Sequence, residues 1–525
     1  MSQNKEEIDS KFESRQRALY DEESLQEIKE KSLNKELSLG QSMREKFCLR
    51  KRIQQKLIIN PTKSSNSSKI FDNLTISQEL YNKCKEAKFT LEHISEIISC
   101  LNSNNLENKY IGIVGVRKLL CNEHPPIDII IKCNALTSII SLLDCSYPVE
   151  FQYEALWCLI NISTGNNKED EMIKKEGGIK KIVLLLNNNY DEIKEMALWC
   201  LDNLVRDSLV IKIYLAKKKI FNILITLLST NNNEKIMSYC VSIIRNIMKN
   251  CPKQKLEKID INKLINLVSM FIINIEYNPS NESDKHLLLN CCYILYHLSL
   301  IIPTCKDIFF QNGIIPKIIS LIKLIDVEKE EKVFLPLLNI IGNLINGNAN
   351  QTNQILNYDI LDILKNNINN KNKVIQKEVC WIISNIASDT QKSIAKLIDN
   401  GFFPLLCNLY EKSEKAIRIE VIYALCNFTL INDKCYLEYL INNGILKVIC
   451  AGIKSENFSE IVVCLEGLVN LLAFGKKYSI DGINIIVKKI ENMGMFDVLE
   501  RLQYNRNETI YEKTIDIIEE FFPYE

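Results

Sequence analysis

Ala155-Leu156-Trp157-Cys158-Leu159-Ile160-Asn161 returns, with one change, as Ala197-Leu198-Trp199-Cys200-Leu201-Asp202-Asn203, 42 residues further on. Trp381 is followed in the same way by Asn385, so each of the three tryptophans has an asparagine four residues later. Four residues is just over one helical turn, which puts ring and amide on one helix face. A spacing of 42 is the length of one two- or three-helix solenoid repeat. The indole is a flat apolar platform, and the carboxamide both donates and accepts hydrogen bonds. A row of such pairs can hold an extended peptide, the amides taking its backbone and the indoles the stems of its Lys and Arg side chains.

The repeat extends in both directions. Asparagines close successive helices at Asn161, Asn203, Asn246, Asn343, Asn385, Asn427 and Asn470, with gaps of 42 or 43 except for one of 97. The long gap holds one more repeat, with His297 in the asparagine slot and Asn278–Asp284 as an inserted loop. A second mark recurs: Glu176-Gly177-Gly178-Ile179, Asn312-Gly313-Ile314, Asn400-Gly401-Phe402 and Asn443-Gly444-Ile445 each place glycine between two helical stretches. Glycine there supplies the positive φ needed to leave one helix and enter the next at a steep angle. No unit buries its apolar face alone, so the units stack.

The 525 residues carry 65 basic and 65 acidic side chains, and no global field points at nucleic acid. Gly is 16 and Pro 11, low for this length, which favours long helices. The first thirty residues are charged throughout, unlike a signal peptide, and no apolar run spans a bilayer without charge. The 19 cysteines form no C-x-x-C pair and only 4 histidines occur, so thiols read as small buried residues in a reducing compartment. No metal or cofactor motif, phosphate loop or nucleophile–base constellation is visible, and an enzyme is not expected. Residues 1–75 stand apart as a polar arm that ends in the linker Lys63–Ser68; residues 76–525 form the repeat domain, of about ten repeats.

These residues resemble the importin-alpha family of armadillo adaptors. The two Trp–Asn heptapeptides above, continued to Gly165 and Asp207, look like the family's major cargo site. Gln376–Ile386 looks like its minor site, and Arg117-Lys-Leu-Leu120 with Pro125-Pro-Ile-Asp128 like its first repeat. The resemblance implies an all-α, right-handed superhelical armadillo solenoid with a flexible N-terminal helical arm. It implies a nuclear import adaptor that binds basic localisation signals and shuttles between cytoplasm and nucleus. Partners would be cargo peptides, importin-beta and an export receptor at the C-terminal repeats, with no direct nucleic acid and no membrane.

By position, Trp157 and Trp199 would be slots for cargo Lys or Arg stems, with Asn161, Asn203 and Asn246 on the cargo backbone. Asp207 would pair with the most demanding cargo lysine, and Asp170 falls near a position where the family has a neutral hydroxyl. In the minor site Trp381, Tyr423, Asn343, Asn385 and Asn427 would do the same work, with Glu378 and Glu420 as acidic partners and Thr352 and Ser384 as smaller polar contacts. Ser242 replaces a third Trp, Tyr293 and His297 replace Trp and Asn in the fifth repeat, and Asn339 stands at a family arginine position. These departures predict a narrower major site and a minor site of retained geometry. The family's arm binds importin-beta and folds back into the groove. Here residues 1–60 hold 13 basic and 11 acidic residues, with basic density at Arg44 and at Arg50-Lys51-Arg52.

Other readings stay open. Any one Trp is also a packing residue, Asp207 also solvates a helix end, and Arg50-Lys51-Arg52 is also a solvated helix face or a localisation signal. A cytosolic armadillo peptide-binding scaffold, or a chaperone for basic proteins, fits without importin-beta.

Overall fold

A computed structural model of the chain describes residues 75–164, 167–249, 260–278, 281–479 and 483–522. The expected arm, with Arg44, Arg50, Lys51 and Arg52, lies outside them, as do Gly165, the side chain of Asp207 and part of the inserted loop. The described residues are helical almost throughout, in the all-α armadillo pattern expected from the repeats. They fall into two compact units, the first taking residues up to Val268 and again 280–297, the second residues 269–279 and those from Leu298 on.

In the first unit, α1 (Ile94–Leu101) packs closely on α2 (Leu106–Leu120), and α2 on α3 (Val149–Ile162). The stack continues through α4 (Asp191–Asp207) and α5 (Glu234–Met248). α6 (Glu282–Ile301) crosses the division. In the second unit, α7 (Glu331–Ile345), α8 (Lys373–Ala387), α9 (Lys415–Phe428), α10 (Phe458–Lys477) and α11 (Glu508–Phe521) stack in order, each on the next. These are the long helices that close each repeat. Their apolar faces meet in a continuous file, for example Leu156, Leu159, Leu198, Leu201 and Ile244 in one unit and Ile340, Ile383, Leu425 and Leu468 in the other. α10 is long and apolar enough to cross a bilayer by length and composition. It carries Glu460 and Glu466, and it packs between α9 and α11.

The turns take the conformation that their glycines allow. Gly177, Gly313, Gly401 and Gly444 have φ of 79, 75, 76 and 98°. Asn134 and Lys219 hold the equivalent turns at φ 54 and 58°, with side chains in the left-handed region. That region costs an L-residue about 1–2 kcal/mol, partly offset by the added unfolded-state freedom of glycine. Lys219→Gly should therefore stabilise the protein by up to about 1 kcal/mol in urea denaturation; a loss would show that the Lys219 side chain contributes more than its backbone costs.

The cysteines share the core. Cys158, Cys200, Cys240, Cys292, Cys380, Cys426 and Cys464 are buried on the inner helices, whereas Cys133, Cys145 and Cys435 are exposed.

Candidate functional site

The inner helices present half-exposed indoles above buried amides. Trp157, Trp199 and Trp381 are each part-exposed, while Asn161, Asn203, Asn343, Asn385 and Asn427 are buried. A turn of helix separates each ring from its amide, so apolar platform and hydrogen-bonding floor follow from the i, i+4 spacing alone.

Most of the amides tie one repeat to the one before. Asn203 donates to the Ile160 carbonyl at 3.4 Å and to Ser163 Oγ at 3.3 Å. Asn427 donates to the Ser384 carbonyl at 3.1 Å, Asn343 to Ser299 Oγ at 3.0 Å and Asn470 to Thr429 Oγ1 at 2.9 Å. Asn161 is 1% exposed and turns its amide to its own Trp157 carbonyl, 3.2 Å away. A carboxamide has two N–H donors and an acceptor oxygen, so one bond to a neighbour does not exhaust it. The amide of Asn385 stands apart: it is buried and its Nδ2 has no hydrogen-bond partner.

In the first unit each indole also has a neighbour from its own chain. The Arg117 guanidinium, from α2, lies 4.8 Å from the centroid of Trp157. Arg117 also pairs with the buried carboxylate of Glu154, three residues before that tryptophan. Tyr153 meets the same indole edge-on at 5.8 Å. Trp199 stacks on Tyr239 at 6.4 Å, nearly parallel. Ser242, in the third platform position, donates to Asp202 Oδ1 at 2.6 Å, and Asn246 donates to the same oxygen at 3.3 Å. Arg206 holds the other Asp202 oxygen at 3.3 Å. Asp170 is buried, close enough to Cys200 for its charge to add to the upward push that burial gives that thiol. Farther along, Arg245 lies 4.2 Å over the Tyr293 ring and donates to Asn290 at 2.9 Å. His297 is pushed down to about 4, by burial first and then by Arg245 and Lys249, so it is neutral at pH 7.

The second unit is arranged differently. Among the described residues no charged side chain or aromatic ring lies over Trp381. Its indole rests against the backbone of α7, where a Cβ on Gly342 would come within 2.3 Å of Cζ3. Glycine at 342 is what lets the ring approach. Glu378 stands on α8 three residues before Trp381, and Glu420 lies on the adjoining α9. Burial pushes both carboxyls up, and Glu420 reaches about 7, with Lys377 pulling it down and Glu378 pushing it further. Lys377 approaches Glu420 Oε1 at 3.8 Å; Oε2 is buried with no hydrogen-bond partner. Asn339, in the platform position of α7, likewise has an unpartnered Oδ1. The hydroxyls of Ser384 and Thr352 are turned to the Trp381 and Ile345 carbonyls at 2.8 and 3.0 Å.

Sequence reasoning missed Arg117 as a neighbour of the groove. The signal was present: Arg117 and Cys121 sit where the first repeat would carry Trp and Asn, and Asn161 reaches Cys121 Sγ at 3.5 Å.

Stacked helix repeats with a Trp–Asn face define an armadillo-repeat protein. The comparisons agree: a family model described as an atypical Arm repeat matches residues 484–525. The crystal structure of an engineered protein superposes with a TM-score of 0.65 over 81% of this chain and 98% of its own, at 17% identity, which supports the fold alone. The probable importin subunit alpha-A of Dictyostelium discoideum is 28% identical over 85% of this chain and 81% of its own length. Importin subunit alpha-1b of Oryza sativa subsp. japonica is 24% identical over 82% of this chain and 79% of its own. Importin subunit alpha-8 of Arabidopsis thaliana is 25% identical over 81% and 92%. The importin-alpha resemblance read from the sequence is borne out by these relatives, and with it the reading of a non-enzymatic protein.

Proposed function

We propose that the chain is a nuclear import adaptor whose inner helices hold extended basic peptides, the localisation signals of its cargo, and whose N-terminal arm links them to importin-beta. The observation that carries this is the repeated pairing of part-exposed indole and buried amide on successive helices of each unit, with buried carboxylates beside it in the second. Indole faces attract cationic side chains, amides satisfy an extended backbone, and carboxylates pair with ammonium groups. In the first unit Trp157, Asn161, Trp199, Asn203 and Asn246 would make the contacts, with Asp170 and Asp207 as acids. In the second, Trp381, Tyr423, Asn343, Asn385 and Asn427 would do so, with Glu378 and Glu420. The names of the relatives support the adaptor role. Shuttling between cytoplasm and nucleus, and recycling by an export receptor, follow from that role. The test is titration of the full chain with a fluorescent Lys/Arg-rich peptide and with an acidic peptide of equal length, together with capture of importin-beta by residues 1–60. Binding of the basic peptide alone is expected. Equal affinity for both peptides would sink the groove reading; failure to capture importin-beta would leave a peptide-binding scaffold.

The raised carboxyl of Glu420 makes binding at the second site depend on pH. An ionised Glu420 pairs with a cargo cation and a protonated one does not. With a value near 7, affinity for a lysine-containing peptide should fall up to about tenfold between pH 8 and pH 6. Stability should run the other way. The folded state holds the proton more tightly than the unfolded chain, so this group's contribution is full below the ordinary value of 4.5 and is lost as pH rises through about 7. Calorimetric titration in buffers of different ionisation enthalpy should show proton release on binding; buffer-independent heats would show that Glu420 stays out of the contact.

A further inference from the structure

We propose that residues 75–89 form a strap across the Trp157 end of the groove, and that the strap sets how far a bound peptide can run past that tryptophan. This rests on the peptide-binding reading above and gives its first site a length limit at one end.

The strap is a formed element. Ser77 caps the helix Gln78–Glu86 by accepting from the Leu80 amide at 3.2 Å. The helix packs on α2 and buries Cys84, and Ile76 is buried just before it. At one end the Thr75 amide donates to Glu150 Oε1 at 2.8 Å, and the Thr75 hydroxyl donates to the same oxygen. At the other end Lys118, in the last turn of α2, donates to the Lys85 and Ala87 carbonyls at 2.9 and 2.6 Å. Its ammonium also lies 5.7 Å from the centroid of Phe89. The strap is thus tied to the start of α3 and to the end of α2.

The crossing falls on the face that would hold peptide. Glu150, Glu154, Trp157 and Asn161 follow one another at steps of four, three and four residues, which is one face of α3. Seven residues of helix rise about 10 Å, so the Thr75 anchor sits only that far along the face from Trp157. Between the anchors Tyr81 is part-exposed beside the Arg117–Glu154 pair, the same pair whose guanidinium lies against Trp157. Burial first and then Glu154 push the Tyr81 hydroxyl up, and Arg117 pulls it down. In one direction from Trp157 the path runs on to Trp199 on α4; in the other it meets the strap. A peptide that continues that way must lift the strap. Glu150, 0% exposed, then gives up the two donors from Thr75, and Lys118 gives up two carbonyls.

The test is fluorescence anisotropy with a labelled Lys/Arg cluster, alone or with a Gly/Ser tail at its N-terminal or its C-terminal end. The full chain carries Trp381→Ala, which removes the platform of the second site. One of the two tails should weaken binding about fivefold or more and the other less than twofold. Adding Lys118→Met with Thr75→Val, which loosens both anchors, should bring the first penalty below twofold. Hydrogen exchange on the full chain should show the amides of residues 75–89 protected, and opened by the disfavoured peptide but not by the cluster alone. Equal binding of the two tailed peptides, a penalty unchanged by loosening the anchors, or unprotected amides at 75–89 would each overturn the strap. So would loss of all cluster binding in Trp381→Ala, since the first slot would then hold no peptide to limit. Absence of cluster binding by the parent chain would instead remove the peptide-binding reading beneath it.

Discussion

Arg117→Met should destabilise the first unit by about 3–5 kcal/mol, because it strips the partner from a carboxylate that the fold has buried. Glu154 is 4% exposed and Arg117 8%, so water does not take over when the guanidinium goes. Neighbouring groups register the negative charge: burial first and then Glu154 push the hydroxyls of Tyr110, Tyr81 and Tyr153 up. Methionine keeps much of the stem's volume against Trp157, which isolates the electrostatic part. The double change Arg117→Met with Glu154→Leu should recover most of the loss, since an apolar pair often replaces a buried ion pair without penalty. Urea denaturation followed by circular dichroism measures both. A single-variant loss below about 1 kcal/mol would show that Glu154 finds another partner or takes up a proton.

Gly112→Ala should cost about 3 kcal/mol or more, at or beyond the upper end of ordinary overpacking. A methyl group there would lie 2.2 Å from the Leu101 amide nitrogen and 2.5 Å from its Cα. These are main-chain atoms of α1, and no rotamer moves them aside. The helix must back away from α2, opening the contact on which the first repeat depends. Gly115, one turn on, faces only the Ile97 side chain at 3.0 Å. Gly115→Ala should therefore cost about 1 kcal/mol or less, since a side chain gives by a few tenths of an ångström and alanine favours the helix. Thermal melts of the two variants, side by side, test the distinction; equal shifts would mean that α1 is not held where it lies.

The repeat was legible because spacing alone carries it: asparagines 42 or 43 residues apart place the inner helices before any coordinates are seen. The glycine turns were legible for the same reason, although Asn134 and Lys219 take the same conformation without the glycine that would announce it. What lies across the stack was not legible. Arg117 and Trp157 are 40 residues apart, and nothing in either segment says that one guanidinium meets both Glu154 and the indole. The amides of Asn203 and Asn427 read as backbone clamps, and the structure shows them also tying each repeat to its predecessor. Ser242 read as a lost platform; its hydroxyl proves to be bonded to Asp202. A sequence shows which group a helix offers, while its partner depends on the neighbouring repeat's register.

The buried thiols give the molecule a set of clocks. Cys158, Cys200, Cys240, Cys380, Cys426 and Cys464 fall singly on α3, α4, α5, α8, α9 and α10, and α6 carries the pair Cys291 and Cys292. Burial pushes the thiols of Cys158, Cys200, Cys240 and Cys292 up, which withholds the reactive thiolate until the helix opens. An alkylating reagent then marks each cysteine at the rate at which its own repeat parts from its neighbours. Cys133, Cys145 and Cys435, exposed from the start, set the zero of the scale. The order in which the repeats let go is thus written into the native chain, without any engineered label.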